Sequence, residues 1–318
     1  MLNQPKIIEL RRSLADAIVG QTALLDRLVI GLLTGGHILL EGLPGLAKTT
    51  AVKALSNSVH ASFQRIQFTP DLLPGDLTGT DIYNPQAGSF CFIEGPLFHD
   101  IILADEINRA PAKVQSALLE AMQEHQITVG GVTRALSPLF MVMATQNPLE
   151  QSGTYPLPEA QLDRFLLHIE LDYPSAEEEL LILQRDRTGH TNGTTAAPGI
   201  DVHSVLAARA EVKQVHISTE LERYIVTLVG ATRNIGAWLP DHANMLEVGA
   251  SPRASLAIAH AASAHAYLQG RDYVIPDDIL AIAADCLRHR IILSFNARME
   301  KLSRNDLILA LLAVVPVP

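Results

Sequence analysis

The sequence predicts an α/β fold in which a parallel β-sheet with helices on both faces is followed by a small all-α domain. Two observations lead to this prediction. Short apolar segments of strand length alternate with helical patterns through the first half of the chain, and this alternation stops at Pro174. The length of 318 residues, 48% of them hydrophobic, leaves room for about two domains with a substantial core.

The elements of the first half follow from the spacing of apolar residues. Amphipathic patterns predict helices at 5–18, 22–33, 49–59 and from 111 onward. Short apolar runs between them predict buried parallel strands at 37–41, 63–67, 101–106, 139–144 and 166–171. A Pro- and Gly-rich stretch, 68–97, is too long for a simple connection and is expected to be a functional insertion. Gly130-Gly131 predicts a tight hairpin turn.

The sequence pattern of the second half predicts helices. Helices are predicted at 177–187, 219–233, 252–269 and 276–289, two of them with proline in the first turn. A stretch rich in Thr, Gly, Ala and Pro, 190–199, is typical of a linker. We therefore predict three parts: a sheet-containing core at 1–173, a connecting helix and linker at 174–199, and an α-helical domain at 200–318.

The composition narrows the class of protein. The net charge is −10 and no dense run of Lys and Arg occurs, so no direct binding to nucleic acid is expected. Cys91 and Cys286 are far apart, which fits a reducing compartment. The amino terminus lacks the apolar core of a signal peptide, and the apolar run 307–318 is too short to cross a bilayer. We expect a cytoplasmic protein without a membrane span.

The strongest functional signal is a glycine-rich segment between a predicted strand and a predicted helix, with the sequence GLPGLAKT at 42–49. In this context, backbone N–H groups and the helix N-terminus face the phosphates of a nucleotide. Lys48 would contact the β- and γ-phosphates, and the Thr49 hydroxyl would bind Mg²⁺. Ala47 stands where a second glycine is usual. An ordinary turn before a helix is the alternative, and the Lys-Thr pair at the helix start argues against it.

A second signal is an acidic pair at the end of an apolar strand. Asp105 is placed to hold Mg²⁺ through its water shell, and Glu106 could orient and deprotonate the attacking water. Alone, such a pair is common in surface loops. However, the carboxyl ends of parallel strands share one edge of a sheet, so the pair and the glycine-rich segment are expected to lie together. The two signals predict binding and hydrolysis of ATP.

Three further residues are candidates for contacts with phosphate or water. Asn147 follows the strand at 139–144 and could contact the γ-phosphate, although an Asn before Pro is more often a turn residue. Arg164 precedes a predicted strand and could equally be a surface charge. Arg253 lies at a helix N-terminus, where a cation is unfavourable, so an anionic partner would explain its position.

Motifs in a fixed order resemble the MoxR family of AAA+ ATPases, which belongs to the helix-2-insert clade. They are LEGLPGLAKT at 40–49, ADEINRA at 104–110, ATQNP at 144–148, LPEAQLDRF at 157–165 and GASPR at 249–253. The resemblance extends from about residue 19 to about residue 291 and includes Ala47, since family members with Ala-Lys in this loop are known. Segment 68–97 is similar to the helix-2 insert, and 126–137 to the pre-sensor-1 hairpin.

The resemblance implies a P-loop AAA+ core, built as an αβα sandwich, and an α-helical lid. It also implies a homo-oligomeric ring, usually a hexamer, with ATP and Mg²⁺ between neighbouring subunits. Asn147 would be sensor 1, Arg253 sensor 2 and Arg164 the arginine finger, with Arg253 acting in cis or in trans. The implied nucleotide-binding set is Gly20 and Gln21 beside the adenine, then Gly42, Pro44, Gly45, Leu46, Ala47, Lys48, Thr49 and Thr50, with Thr49 and Asp105 at the metal.

The function that the resemblance implies is Mg²⁺-dependent ATP hydrolysis that drives chaperone-like remodelling or maturation of a partner. A protein with a von Willebrand factor A domain is the expected partner. Two alternatives stay open: a nucleotide-gated assembly scaffold with little turnover of its own, and a motor subunit similar to that of magnesium chelatase. A metal centre built from the twelve histidines is disfavoured because no His-Glu-x-x-His pattern occurs.

Overall fold

A computed structural model describes residues 1–17, 21–42, 46, 48–86, 88–147, 153–187 and 199–318 of the chain. The strands are β1 (Ile38–Gly42), β2 (Phe63–Gln67), β3 (Gly79–Asn84), β4 (Ser89–Glu94), β5 (Ile101–Asp105), β6 (Gln126–Val129), β7 (Val132–Ala135), β8 (Met141–Gln146), β9 (Leu167–Leu171), β10 (Leu246–Val248) and β11 (Ile292–Leu293). The α-helices are α1 (Gln4–Ala17), α2 (Thr22–Thr34), α3 (Lys48–Ser58), α4 (Pro74–Thr78), α5 (Ala112–Glu124), α6 (Glu159–Leu162), α7 (Ala176–Arg187), α8 (Val202–Val212), α9 (Thr219–Arg233), α10 (Pro252–Leu268), α11 (Pro276–Leu287), α12 (Phe295–Met299) and α13 (Arg304–Val314).

Five parallel strands form the central sheet, in the order β2-β5-β8-β1-β9. Strand β1 lies between β8 and β9, with Ile38 opposite Met143 on one side and opposite Leu167 on the other. Because every pairing in this sheet is parallel, the strands all begin at one edge and all end at the other. We name the side of the sheet where the strands begin the amino edge and the side where they end the carboxyl edge; neither name refers to the outermost strands β2 and β9. The predicted α/β fold is confirmed.

Alternate residues of the strands enter two hydrophobic cores, one on each face of the sheet. In β1, Ile38 and Leu40 belong to the first core and Leu39 belongs to the second, as the two-residue period of a strand requires. Helices α1, α2 and α3 contribute to the first core, and α5 contributes to the second. Burial on both faces explains why these strands are continuous apolar runs in the sequence.

The first core continues into the helices that follow the sheet. Buried residues of α8 to α11 and of α13 belong to the same cluster as those of α2, among them Val205, Leu228, Ile258, Ile282 and Ile308. Helix α2 packs against both α8 and α10. The helical part of the chain is therefore joined to the sheet-containing part by apolar packing. The exact boundaries at 173 and 199 stay a prediction.

Some elements after Pro174 were not predicted from the sequence. Helices α8, α12 and α13 are additional, and β10 and β11 form a short antiparallel pair with Leu246 opposite Leu293. Strands of two or three residues carry no measurable two-residue period, so sequence patterning does not detect them. In the part of the chain that the structure describes, no helix combines the length and the apolar character needed to cross a bilayer.

Two hairpins extend from the core. Strands β3 and β4 pair within the predicted insertion, and β6 and β7 pair around the Gly130-Gly131 turn. They lie against each other, since the Arg134 guanidinium sits 3.7 Å from the centre of the Phe92 ring. The β3–β4 hairpin exposes Tyr83 and Phe90, which are paired across the strands on one face, and Ile82 and Ile93 on the other face; we name the Tyr83–Phe90 pair the apolar hairpin patch.

Candidate active site

The glycine-rich segment joins the end of β1 to the start of α3, at the carboxyl edge of the sheet. Gly42, at the end of β1, has no room for a side chain, because a Cβ there would lie 2.9 Å from the Leu171 Cβ and 3.1 Å from the Leu171 carbonyl oxygen. Four members of the predicted nucleotide-binding set lie outside the described residues: Gly20, Pro44, Gly45 and Ala47.

Of the described members of this set, Lys48, Thr49 and Thr50 form the first turn of α3. Thr49 and Thr50 are partly buried in its first turn, where the backbone N–H groups have no partner within the helix. These N–H groups and the helix dipole create positive potential that favours an anion. Leu46 is buried. Gln21 directly precedes α2, and its carbonyl oxygen accepts a hydrogen bond from the Leu25 N–H.

Lys48 is half-buried at the carboxyl edge, and its ammonium group donates to the Gly42 carbonyl oxygen over 2.5 Å. Burial lowers the pKa of Lys48, while the nearby carboxylates of Asp105, Glu106 and Glu41 act in the opposite direction. The predicted phosphate-binding lysine and the predicted acidic pair are therefore close enough to interact electrostatically.

Asp105 ends β5 and is held from two sides. The Thr145 hydroxyl on β8 donates to Asp105 Oδ1 over 2.6 Å. Arg65 on β2 donates to Asp105 Oδ2, with Nη2 at 2.5 Å and Nε at 3.1 Å. These contacts come from the strands on both sides of β5, and they fix the carboxylate at the carboxyl edge.

Glu106 has a left-handed backbone, with φ 57° and ψ 50°. A non-glycine residue in this region costs about 1–3 kcal/mol, and such residues concentrate at functional sites. The Glu106 N–H donates to the Thr145 hydroxyl over 2.9 Å, which anchors the strained backbone. On the carboxylate, Oε2 accepts from the Gln67 amide over 2.6 Å and lies 3.1 Å from Arg109 Nε. Glu106 is therefore held in a defined orientation.

Asn147 directly follows β8 and is partly buried. Since β8 lies between β1 and β5, Asn147 is at the carboxyl edge between the ends of β1, which precedes Lys48, and β5, which precedes Glu106. Its neighbour Pro148 lies outside the described residues. The fold thus brings Lys48, Asp105, Glu106 and Asn147 to one edge of the sheet, where they could bind a polyphosphate and orient water.

A further carboxylate lies directly before the glycine-rich segment. Glu41 Oε2 is 2.9 Å from Nε2 of the buried His168 on β9. The close approach of His168 lowers the pKa of Glu41 against the opposing effect of burial. Glu41 therefore stays ionised at neutral pH and adds to the negative charge near Lys48.

Arg164 lies at the opposite edge of the sheet. The Leu166 N–H donates to the His37 carbonyl oxygen over 2.8 Å, so this segment meets β1 at its beginning. From there to Gly42 the distance along the strand is about 17 Å at 3.3 Å per residue. Arg164 Nη1 donates to the Leu119 carbonyl oxygen in α5 over 2.7 Å. The fold does not bring Arg164 to the phosphate-binding segment of its own chain.

Arg253 is exposed in the first turn of α10. The helix N-cap is Ser251, whose hydroxyl accepts from the Arg253 N–H over 3.2 Å and donates to Asp163 Oδ2 over 2.9 Å. Asp163 directly precedes Arg164 in the chain. The start of α10 therefore lies beside the Arg164 segment, and the two predicted arginines share one region of the surface, at the amino edge.

Sequence reasoning missed the residues that orient the acidic pair: Arg65, Gln67 and Thr145. A usable signal was present for Gln67, because β2 was predicted and its last residue must lie at the carboxyl edge of a parallel sheet. In the structure Gln67 is directly opposite Asp105. In the described part of the chain, no group of three or more His, Cys, Asp and Glu side chains gathers as ligands for a metal ion.

Comparisons with known proteins agree with this fold. Residues 37–167 match the "ATPase family associated with various cellular activities (AAA)", and residues 241–310 match the AAA lid domain. The crystal structure of a candidate ATPase from Cytophaga hutchinsonii ATCC 33406 superposes with a TM-score of 0.92 and 47% sequence identity. The match covers 100% of this chain and 96% of the other.

Two bacterial relatives are similar over most of the chain. Chaperone MoxR1 of Mycobacterium tuberculosis (strain ATCC 25618 / H37Rv) is 46% identical over 310 residues, which cover 95% of this chain and 79% of the relative. YeaC of Bacillus subtilis (strain 168) is 45% identical over 301 residues, which cover 95% of this chain and 91% of the relative. With its parallel sheet and helical lid, the chain belongs to the MoxR family of AAA+ ATPases.

Proposed function

We propose that the chain hydrolyses ATP with Mg²⁺ at sites shared between neighbouring protomers of a ring, and that this turnover remodels or matures a partner protein. One observation carries the proposal. Lys48 and Glu106 lie at the carboxyl edge of the sheet, whereas Arg164 lies at the amino edge, about 17 Å away along the strands. A site that needs all three residues requires two copies of the chain.

ATP would bind at the carboxyl edge, with its phosphates at Lys48 and the first turn of α3, and its adenine near Gly20 and Gln21. The Thr49 hydroxyl and, through water, the Asp105 carboxylate would hold Mg²⁺. These oxygen ligands suit the ion, which keeps several waters and needs only one or two protein ligands beside phosphate oxygens. When bound, Mg²⁺ would neutralise charge that develops on the phosphates.

Glu106 would accept a proton from the attacking water, and Asn147 would help to place that water. The left-handed backbone of Glu106 and its hydrogen bonds with Thr145 and Gln67 support this role, because they hold a carboxylate beside the phosphate-binding segment. The presence of a positioned Glu106, together with Asn147 and Arg164, favours an ATPase over a scaffold that binds nucleotide without turnover.

Arg164 would serve the ATP of the neighbouring protomer. An arginine supplied in trans contributes on the order of 10³-fold or more to the rate of phosphoryl transfer. Arg253 lies in the first turn of a helix whose N-cap, Ser251, is hydrogen-bonded to Asp163 beside Arg164, so we propose that Arg253 also acts in trans. A closed ring gives each protomer one neighbour of this kind, and a hexamer is our proposed stoichiometry.

The remodelling role rests on the family and on one surface. The relative MoxR1 is named a chaperone. In this chain the apolar hairpin patch exposes 71% of Phe90 and 52% of Tyr83, and contiguous exposed apolar side chains commonly mark interaction sites. We propose that the patch contacts a partner, with a von Willebrand factor A domain protein in the cytoplasm as the first candidate. A magnesium-chelatase-like subunit would share this architecture and differ in its partner.

The test compares two variants alone and mixed. Glu106→Gln should bind ATP normally and lose about 10²- to 10⁴-fold in turnover, because it removes the general base. Arg164→Ala should also bind ATP and lose turnover. In a mixture, protomers with intact Glu106 meet neighbours with intact Arg164 at about a quarter of random interfaces, so about a quarter of wild-type activity should return. A mixture as inactive as its components would contradict the shared site.

A further inference from the structure

Asp163 is the residue through which the Arg164 segment is tied to the helical lid. Its side chain is 18% exposed and accepts two hydrogen bonds from lid residues. Arg290 Nε donates to Asp163 Oδ1 over 2.7 Å, and the Ser251 hydroxyl donates to Oδ2 over 2.9 Å. Both carboxylate oxygens are therefore used, each by a different part of the lid.

The contact with Arg290 is buried and specific. The Arg290 side chain is only 3% exposed. Besides Asp163 Oδ1, its guanidinium donates to three carbonyl oxygens of the same segment: Phe165 at 2.6 Å, Leu166 at 3.2 Å and Asp163 itself at 3.2 Å. With a further bond to the Cys286 carbonyl oxygen in the lid, this planar guanidinium satisfies one carboxylate and four carbonyl groups, an arrangement that holds a backbone in one conformation. Arg290 therefore fixes the backbone on both sides of Arg164.

The contact with Ser251 reaches the second arginine. The Ser251 hydroxyl donates to Asp163 and accepts from the Arg253 N–H over 3.2 Å. A continuous chain of bonds thus runs from Asp163, the neighbour of Arg164, to the backbone of Arg253. One carboxylate thus links the backbone segments that carry the two arginines, and it lies at the amino edge, remote from the phosphate-binding segment of its own chain.

We propose that Asp163 is a positioning residue that presents Arg164 and Arg253 together to the ATP of the neighbouring protomer. The inference rests on the proposed shared site and adds a residue to it. Asp163 itself does not contact the nucleotide in this scheme. Because it acts on arginines that serve a neighbour, its loss must damage the adjacent site and spare the site of its own chain.

This consequence separates positioning from a general structural role. Asp163→Asn keeps the shape of the side chain and weakens the bond from Arg290. We expect kcat to fall about tenfold or more, since a shift of about 1 Å in a catalytic group can cost 10²-fold in rate. The dissociation constant for a fluorescent ATP analogue should stay within about twofold, because the Lys48 segment of the same chain is intact.

Mixing experiments give the decisive readout. Asp163→Asn protomers keep Glu106, and Glu106→Gln protomers keep Asp163 with its two arginines. Their mixture should therefore recover about a quarter of wild-type turnover. A mixture of Asp163→Asn with Arg164→Ala should recover no turnover, because neither variant offers a correctly placed Arg164 to its neighbour. Ser251→Ala removes the Oδ2 bond together with the N-cap bond from the Arg253 N–H, leaves the Arg290 contact in place, and should show a smaller loss with the same pattern of recovery. Ser218→Ala, which removes the N-cap of α9 (the Ser218 hydroxyl accepts from the Leu221 N–H), is the matched control and should keep wild-type turnover.

The outcomes distinguish this proposal from the shared site. If Glu106→Gln with Arg164→Ala recovers activity but Glu106→Gln with Asp163→Asn does not, Asp163 acts within its own chain and the positioning role is wrong. If neither mixture recovers, both proposals fall. Should circular dichroism show that Asp163→Asn is unfolded, Ser251→Ala takes its place in the mixtures, and lack of recovery there overturns the proposal.

Discussion

Replacing Thr145 by valine removes the hydroxyl group that connects Asp105 and Glu106 in the candidate active site. Thr145 is 2% exposed, accepts from the Glu106 N–H over 2.9 Å and donates to Asp105 Oδ1 over 2.6 Å. Valine keeps the branched shape but cannot form either bond, so the substitution removes two hydrogen bonds and creates almost no cavity.

The cost can be worked out from these two bonds. A buried N–H without an acceptor costs about 1–3 kcal/mol, and a hydrogen bond to a charged group contributes about 1.5–3 kcal/mol. Asp105 keeps its 2.5 Å ion pair with Arg65, and its side chain is 18% exposed, so water offsets part of the second loss. We therefore expect Thr145→Val to lower the free energy of unfolding by about 2–4 kcal/mol.

Urea unfolding followed by circular dichroism measures this loss, with Thr145→Ser as the control that retains the hydroxyl. With a urea m-value of about 3 kcal/mol/M, the midpoint of the valine variant should fall by roughly 1 M and that of the serine variant by less. Turnover should also fall about tenfold or more, because the strained Glu106 backbone loses its anchor. A valine variant with the midpoint and turnover of the wild type would show that Thr145 does not hold the acidic pair.

Two further substitutions test the lid and the insertion. Burial alone would raise the pKa of Asp278, but hydrogen bonds, the strongest from Arg271, outweigh it and lower that pKa from 3.8 to about 2. The carboxylate therefore stabilises the fold above pH 4 by on the order of 2 kcal/mol, and this contribution disappears as the pH falls towards 2. Asp278→Asn should lower the urea midpoint at pH 7, and the difference from wild type should shrink as the pH approaches 2; a difference independent of pH would contradict this assignment. Gly79 has φ +87°, and a Cβ there would lie 2.3 Å from the Ile93 carbonyl oxygen. Gly79→Ala should therefore cost more than about 1 kcal/mol and speed amide exchange in the β3–β4 hairpin, whereas Gly88→Ala, at φ +61° with nothing within 4 Å, should have a smaller effect; equal exchange in both variants would show that crowding at residue 79 is unimportant.

The parts of the site that depend on local sequence could be predicted. Asp105 ends a strand, and Lys48 and Glu106 each follow one; these strands are long enough to show as apolar runs, and the carboxyl ends of parallel strands share an edge. Their closeness therefore follows from topology alone. The family resemblance then supplied roles for Asn147 and Arg164, which the residue pattern by itself left open.

The supporting contacts could not be predicted in the same way. Thr145 reaches Asp105 only because β8 lies beside β5, and the strand order is not written in any one strand. Asp163 and Arg290 are 127 residues apart and meet through the packing of the lid on the sheet. Short strands such as β10 are likewise set by tertiary contacts, which override weak local preferences.

The opposite positions of the two edges also give an assembly a direction. Contact between unlike edges is head-to-tail, and such contacts repeat until the row of protomers closes. An open row would leave one phosphate site incomplete at one end and one Arg164 unused at the other, whereas a closed ring would leave neither. Turnover per protomer should then drop on dilution even while each copy keeps its ATP. Every subunit would receive Arg164 from one neighbour and present its own Arg164 to the other. Successive hydrolysis events could therefore follow one another around the ring in a single direction.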